Sequence, residues 1–180
     1  ENRLFLFGVI AQFLYVGAQT GINSFFINYV IEINTNLTPR EASVILSLAG
    51  MSLFLAGRLL GSLILLKMKA ESLLKWVSVG AIICMILVVS SIEYVSFYAL
   101  IVTYLFMSVM FPTIFAISIK NAGKQTSKGS SLLIMSIVGG AIVPPLMGWI
   151  GDSKMALGFV VPLVCFSIIF IFSLFVRKKG

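Results

Sequence analysis

Four residues near the start of the chain attract attention through their types and their spacing. Gln12, Tyr15, Gln19 and Asn23 fall at i, i+3, i+7 and i+11 of an otherwise apolar run. At about 100° per residue they cover roughly an 80° arc of one helix face. Amides and a phenol set in hydrocarbon would leave donors unpaired, so this face belongs against a protein interior or a wet cavity. Neutral amides suit a sugar or other polyol, because each is donor and acceptor at once and pairs with hydroxyls. Tyr15 adds a ring for an apolar sugar face. Two readings stay open here: the arc lines a solute path, or it bridges neighbouring helices, as interhelical amides commonly do.

A single charge, Arg58, lies well inside another apolar run, nine residues before Lys67. That is about 13 Å along a helix, a distance a long side chain covers only in part by snorkelling. A buried role facing a cavity or partner competes with a structural tie near the helix end. Helix breakers mark two further runs: Pro112 after Phe111, then Gly139-Gly140 and Pro144-Pro145. Proline frees a carbonyl and kinks a helix, and interrupted spans near mid-depth are a pointer to transport sites. Gly17 with Gly21, and Gly57 with Gly61, are small-xxx-small pairs whose expected use is close helix packing. No apolar run carries a carboxylate at mid-depth. Neither a Ser-His-Asp set, a metal-ligand cluster nor a phosphate-cradling loop occurs, and histidine is absent, so the sequence points to no enzyme, metal or cofactor.

The elements that must hold these residues are set by composition. Of 180 residues, 59% are hydrophobic and 11% charged, well below the ~25% charged expected of a soluble domain. With a mean hydropathy of +1.10, the long apolar runs make lipid the solvent. Six segments reach the ~20 residues that cross a hydrocarbon core: about 4–31, 42–66, 73–91, 96–119, 130–150 and 156–176. Backbone groups in lipid must be satisfied within a segment, so these are helices. Thr38-Pro39-Arg40-Glu41 supplies a start signal for the second, with Thr38 as cap, Pro39 at the first helical position and Glu41 three residues after the cap. Cys84 and Cys165 both fall in apolar runs and read as small packing residues.

Charge gives orientation. The net charge is +7, without the basic stripe that nucleic-acid binding would need. Arg3, Lys67, Lys69, Lys75, Lys120, Lys124, Lys128, Arg177, Lys178 and Lys179 fall on one side, which the positive-inside rule makes cytoplasmic. Arg40 and Lys154 fall on the other, with Glu32, Glu41, Glu93 and Asp152. Both termini of the segment are then expected at the cytoplasmic face of an inner membrane. A first residue that is Glu1, not Met, reads as the start of a fragment.

Several stretches resemble a known family. Gln12 through Thr20, Gly57-Arg58-Leu59-Leu60-Gly61, Phe111 through Asn121, and Lys128-Gly129-Ser130-Ser131 with Ile137 through Gly140 resemble, in order, helices seven, eight, ten and eleven of the fucose–proton symporter family. That family of fucose, glucose and galactose permeases belongs to the major facilitator superfamily. The resemblance implies an all-α integral membrane fold, the C-terminal six-helix half of a twelve-helix symporter built as a 3+3 inverted repeat. It implies a monosaccharide and protons as cargo, a missing N-terminal six-helix half that carries the proton-binding carboxylates, and no cofactor. It places Gln12, Tyr15, Gln19, Asn23 and Phe111 toward the sugar. Arg58, Pro112, Gly139, Gly140, Pro144 and Pro145 become gating or structural positions. Phe111 stands where the family's fucose transporters have Tyr, and Asn23 where they have Trp, so the resemblance leaves the hexose open. A non-transporting sugar sensor or scaffold with the same six helices is the competing function.

Overall fold

The computed structural model describes residues 2–122 and 126–179. Lys124 and the side chains of Lys178 and Lys179, counted above in the charge asymmetry, lie outside what it describes. The described residues are helical, and six helices are long and apolar enough to cross a membrane. Span one is α1, Asn2–Ile33. Span two runs through α2, Pro39–Ile45, a wide π-type turn, Leu46–Gly50, and α3, Met51–Leu65. Spans three and four are α4, Ala70–Val89, and α5, Glu93–Lys120. Span five is α6, Thr126–Met135, a 3-10 turn, Ser136–Val138, and α7, Gly139–Ile150. Span six joins α8, Met155–Gly158, to α9, Val160–Lys179. One end of the bundle holds Arg3, Lys67, Lys120 and Arg177 and is called the basic end below.

Local chemistry explains where the helices start. The Thr38 hydroxyl accepts from the Glu41 amide, and the Glu41 carboxylate accepts from the Thr38 amide at 2.8 Å. This reciprocal capping box, with Pro39 behind it, is the start signal read from the sequence. At the same end, both carboxylate oxygens of Glu32 accept from the Met155 amide, at 3.1 and 3.0 Å. The end of span one thereby caps the beginning of span six. The tight turn between α4 and α5 places Ser91 in the left-handed region, at a φ of 55°.

Packing is organised around α1. It touches α5, α7 and α9, while α4 packs on α5 and α9, and α3 on α5. Tyr15, Tyr29, Tyr104, Phe26, Phe159, Phe166 and Phe172 are fully buried and fill the seams. Cys84 and Cys165 are buried and unpaired in disulfides, as packing residues should be. The two glycine pairs serve close approach, as expected. Gly17 and Gly21 admit Val143 and Met147 of α7; Gly57 and Gly61 admit Ser108 and Val109 of α5. At the α1–α7 crossing the backbones meet: a methyl on Gly139 would run into the carbonyl oxygen of Phe13. Spans two and five are the least buried. Leu48, Leu55, Leu59 and Leu63 on one, and Ile137, Val138, Ile142 and Trp149 on the other, are exposed.

Because a carbonyl oxygen in a helix cannot retreat, Gly139→Ala should lower stability by about 2–3 kcal/mol. On the same helix, Gly148→Ala would meet only the ring tip of Phe25 at 3.1 Å and should lose less than about 1 kcal/mol. Thermal unfolding in detergent, followed with a thiol-reactive dye that reports exposure of Cys84 and Cys165, measures both. Equal melting temperatures for the two variants would contradict the backbone contact.

Candidate functional site

The polar arc of α1 faces α5. Gly8, on the same face toward the basic end, lies against Ser118 and Phe172. Tyr15 donates its hydroxyl to the Met107 carbonyl at 2.8 Å. Asn23 accepts from the Tyr104 hydroxyl at 2.8 Å through its Oδ1. Both contacts close rungs between helices distant in sequence, so for these two residues the bridging reading accounts for the hydroxyl or carbonyl they use. Gln12 lies between Gly8 and Tyr15 and is fully buried; neither its amide nitrogen nor its oxygen has a hydrogen-bond partner among the described residues. Gln19, between Tyr15 and Asn23, is half-buried and lies on the open part of the arc. The structure thus divides one sequence pattern into two tied residues, one buried orphan and one half-buried residue.

The partial exposure of this face is set by the way the helices splay. Span two meets α1 through α2, near the capping box, but α3 and α1 have no substantial contact; both rest on α5. Where α3 leaves α1 uncovered, Gln19 and Asn23 of α1 and Phe111 of α5 are half-buried, while Tyr15 and Tyr104 are fully buried beneath them. Phe111 is half-buried, packed edge-on to Tyr15 with ring centres 6.1 Å apart and stacked on Phe115 at 6.5 Å. Pro112 follows it inside α5, which continues through the proline as a helix. Its ring cannot return a hydrogen bond to the Ser108 carbonyl. The neighbouring Thr113 hydroxyl back-bonds to the Val109 carbonyl at 2.6 Å.

Arg58 is exposed on α3, with its guanidinium 5.9 Å from the centre of the Phe54 ring. It has no ion-pair partner among the described residues, and no tie to helix-end carbonyls. In span five, α7 passes through Pro144 and Pro145 without interruption. The irregular turn is Ser136–Val138, which ends immediately before Gly139 and Gly140. Gly140 faces Thr20 of α1, and Pro145 is exposed while Pro144 is half-buried.

Three participants escaped the sequence reading. Tyr104 sits in an apolar run and was not singled out; the signal was Asn23, a mid-span acceptor that needed a donor. Phe54 carried no signal, being one of many aromatics. Glu32 was read only as an acidic residue at one end. Other cavities lie away from the arc. One of about 630 Å³ opens at the basic end beside Lys69, Glu71, Lys120 and Arg177. Another, of about 420 Å³, opens at the opposite end beside Asn28, Glu32 and Asp152. Both lie at span ends, where charged side chains meet water, and neither reaches the mid-depth polar groups.

A buried amide with both ends unmet carries a desolvation penalty of about 1–3 kcal/mol per group. Gln12→Leu, of similar shape, should therefore raise the melting temperature of the detergent-solubilised protein by a few degrees, on the order of 1 kcal/mol. A fall would show that the amide is hydrogen-bonded in the working protein.

No family model matches the chain. It is 35% identical over 176 residues to the L-fucose-proton symporter of Escherichia coli K12, covering 96% of this chain and 40% of that protein. It is 31% identical over 183 residues to a glucose/galactose transporter of Brucella abortus, covering 99% of this chain and 44% of that one. The chain therefore spans less than half the length of these curated relatives. In three dimensions it superposes on FucP, a major facilitator transporter seen in the outward conformation, with a TM-score of 0.94 at 34% identity. The match covers 98% of this chain and 43% of that one. A second structure of the Escherichia coli fucose:proton symporter gives a TM-score of 0.92. The agreement extends over nearly every residue of all six helices, in sequence and in fold together: the chain belongs to the fucose–proton symporter family of the major facilitator superfamily.

Proposed function

We propose that this chain is the C-terminal half of a secondary active transporter that moves a monosaccharide, L-fucose or a related hexose, together with protons. The companion is a second six-helix half, and the membrane is the bacterial inner membrane. The observation that supports this reading is a polar face that α3 leaves partly uncovered: Gln19 is half-buried, has no hydrogen-bond partner among the described residues, and lies one helical turn from both Tyr15 and Asn23. A neutral polyol is the cargo that such a surface recognises: amides exchange donors and acceptors with hydroxyls, and aromatic rings cover the apolar sugar face.

In this reading Gln12, Tyr15, Gln19, Asn23 and Phe111 form the sugar-facing side in two layers. Gln19, Asn23 and Phe111 form the outer layer, half-buried. Tyr15, bonded to α5, and Gln12 form the buried layer behind them. Pro112, the Ser136–Val138 turn with Gly139 and Gly140, and Pro144 with Pro145 are the places where spans four and five bend as the two halves rock around the sugar. The excess of basic residues at one end of the bundle supports a cytoplasmic position for both ends of this segment. Phe111 in place of Tyr removes one hydroxyl from the outer layer, which favours a hexose that presents an apolar edge there.

Uptake of labelled L-fucose, glucose and galactose by the intact transporter tests the reading. Gln19→Ala should weaken the apparent affinity for the transported sugar about three- to tenfold, the worth of one or two hydrogen bonds. Phe111→Tyr should change the ranking of the three sugars. Unchanged affinity and rate with Gln19→Ala across every accepted sugar would take Gln19 out of the site, and binding without exchange in liposomes would make the protein a sensor.

A further inference from the structure

Basic residues crowd one end of the bundle, and two general rules account for most of them. Cations belong on the cytoplasmic side of membrane spans and near helix C-termini. Neither rule asks them to converge, yet three of them do. Lys69, from the turn between α3 and α4, Lys120, the last residue of α5, and Arg177, near the end of α9, line one cavity of about 630 Å³. Lys67 and Lys75, close to Lys69 in sequence, are not part of its lining.

Packing explains why the cavity is there. The helices α3 and α4 follow one another in the chain but barely touch; α3 rests on α5, while α4 rests on α5 and α9. The turn that joins them is held by the Lys67 and Met68 amides, which donate to the Ile64 carbonyl at 2.9 and 2.8 Å. It bridges the gap, and the space left beside it is lined by the ends of α5 and α9. Ile117 and Val176, both buried, give that space an apolar side. Lys69, Lys120 and Arg177 are exposed and give it a cationic side that meets water.

The charge there is unanswered within the chain. Glu71 is the one carboxylate in the lining, against three cations, and it makes no ion pair with any of them among the described residues. Backbone donors lie beside the same space: no side chain caps α4, and the amides of its first residues, Ala70 and Glu71, lack acceptors among the described residues. The cavity falls within the range of about 300–1,000 Å³ usual for ligand sites. Lysine and arginine both hold phosphate oxygens, arginine through two parallel N–H donors. Basic pockets between spans on the cytoplasmic side suit lipid headgroups, since acyl chains take the apolar side while the phosphate takes the cations.

We propose that this cavity binds a phosphate-bearing anion through Lys69, Lys120 and Arg177. Free phosphate and the headgroup of an anionic phospholipid share that chemistry, and the apolar side made by Ile117 and Val176 favours the lipid. The proposal rests on the membrane-spanning bundle and is independent of what the protein carries. Bound there, the anion joins the turn between α3 and α4 to the ends of α5 and α9, and so stabilises the folded protein.

The test uses the intact protein in a neutral detergent at constant ionic strength. Melting temperature is followed against added phosphatidylglycerol, phosphatidylcholine or inorganic phosphate, which gives an apparent affinity for each. Phosphatidylglycerol should stabilise and phosphatidylcholine should not. The double variant Lys120→Gln with Arg177→Gln should weaken the phosphatidylglycerol response at least about tenfold, and Lys67→Gln with Lys75→Gln should leave it within about twofold. Glu71→Gln, which removes the opposing charge, should strengthen it about two- to threefold. The charge-keeping pair Lys120→Arg with Arg177→Lys should retain most of it. Stabilisation by inorganic phosphate as strong as that by the lipid, and lost in the same Gln pair, would uphold the site and assign it to free phosphate. Equal weakening by the two Gln pairs would overturn the proposal in favour of general surface attraction. Loss in the charge-keeping pair as large as in the Gln pair would overturn it in favour of a packing role. No preference for phosphatidylglycerol together with no response to phosphate would overturn it outright.

Discussion

A polar group surrounded by hydrocarbon has no water to fall back on, and the interior of this bundle is arranged by that fact. The Tyr15 hydroxyl takes the Met107 carbonyl, and the Tyr104 hydroxyl takes the Asn23 amide oxygen. The Tyr29 hydroxyl takes the carbonyl of Val88 on α4. Ser78, Thr103, Thr113 and Ser118 return their hydroxyls to carbonyls four residues back in their own helices. Each solution is local or reaches a helix next door. The three tyrosine bonds tie α1 to α4 and α5, and among the described residues the Gln12 amide is the buried side chain left out of this scheme.

The two faces of α1 divide the work. On one, Gly17 and Gly21 remove side chains so that Val143 and Met147 of α7 fit, and the backbones nearly touch at Gly139. Association there comes from shape and dispersion, since lipid offers no hydrophobic gain between helices. On the other face, hydrogen bonds and aromatic edges join α1 to α5. A helix held from opposite sides by different forces can rock on one while the other is kept. Span five carries its irregular turn, Ser136–Val138, at the glycine side, and α5 carries Pro112 at the polar side. Both deformable points thus adjoin α1.

The partial exposure of the polar face follows from the same arrangement. α3 takes its packing from α5 through Gly57 and Gly61 and shares little with α1, so Gln19 and Asn23 stay half-buried where a third helix would otherwise cover them.

Much of this was legible in the residues. The span count follows from run length against a fixed hydrocarbon thickness, the helix start at Thr38 from capping chemistry, and the common face of Gln12, Tyr15, Gln19 and Asn23 from the helical repeat. None of these needs knowledge of a neighbour. What the tertiary structure decided is which neighbour each polar group meets. The partners of Tyr15 and Asn23 lie 92 and 81 residues away, and no local pattern encodes such a pairing. The same holds for the burial of Gln12. Periodicity places a side chain on a face, but only the packing of whole helices determines what stands opposite that face, because in lipid the contact is selected by fit between surfaces and by mutual need for hydrogen bonds.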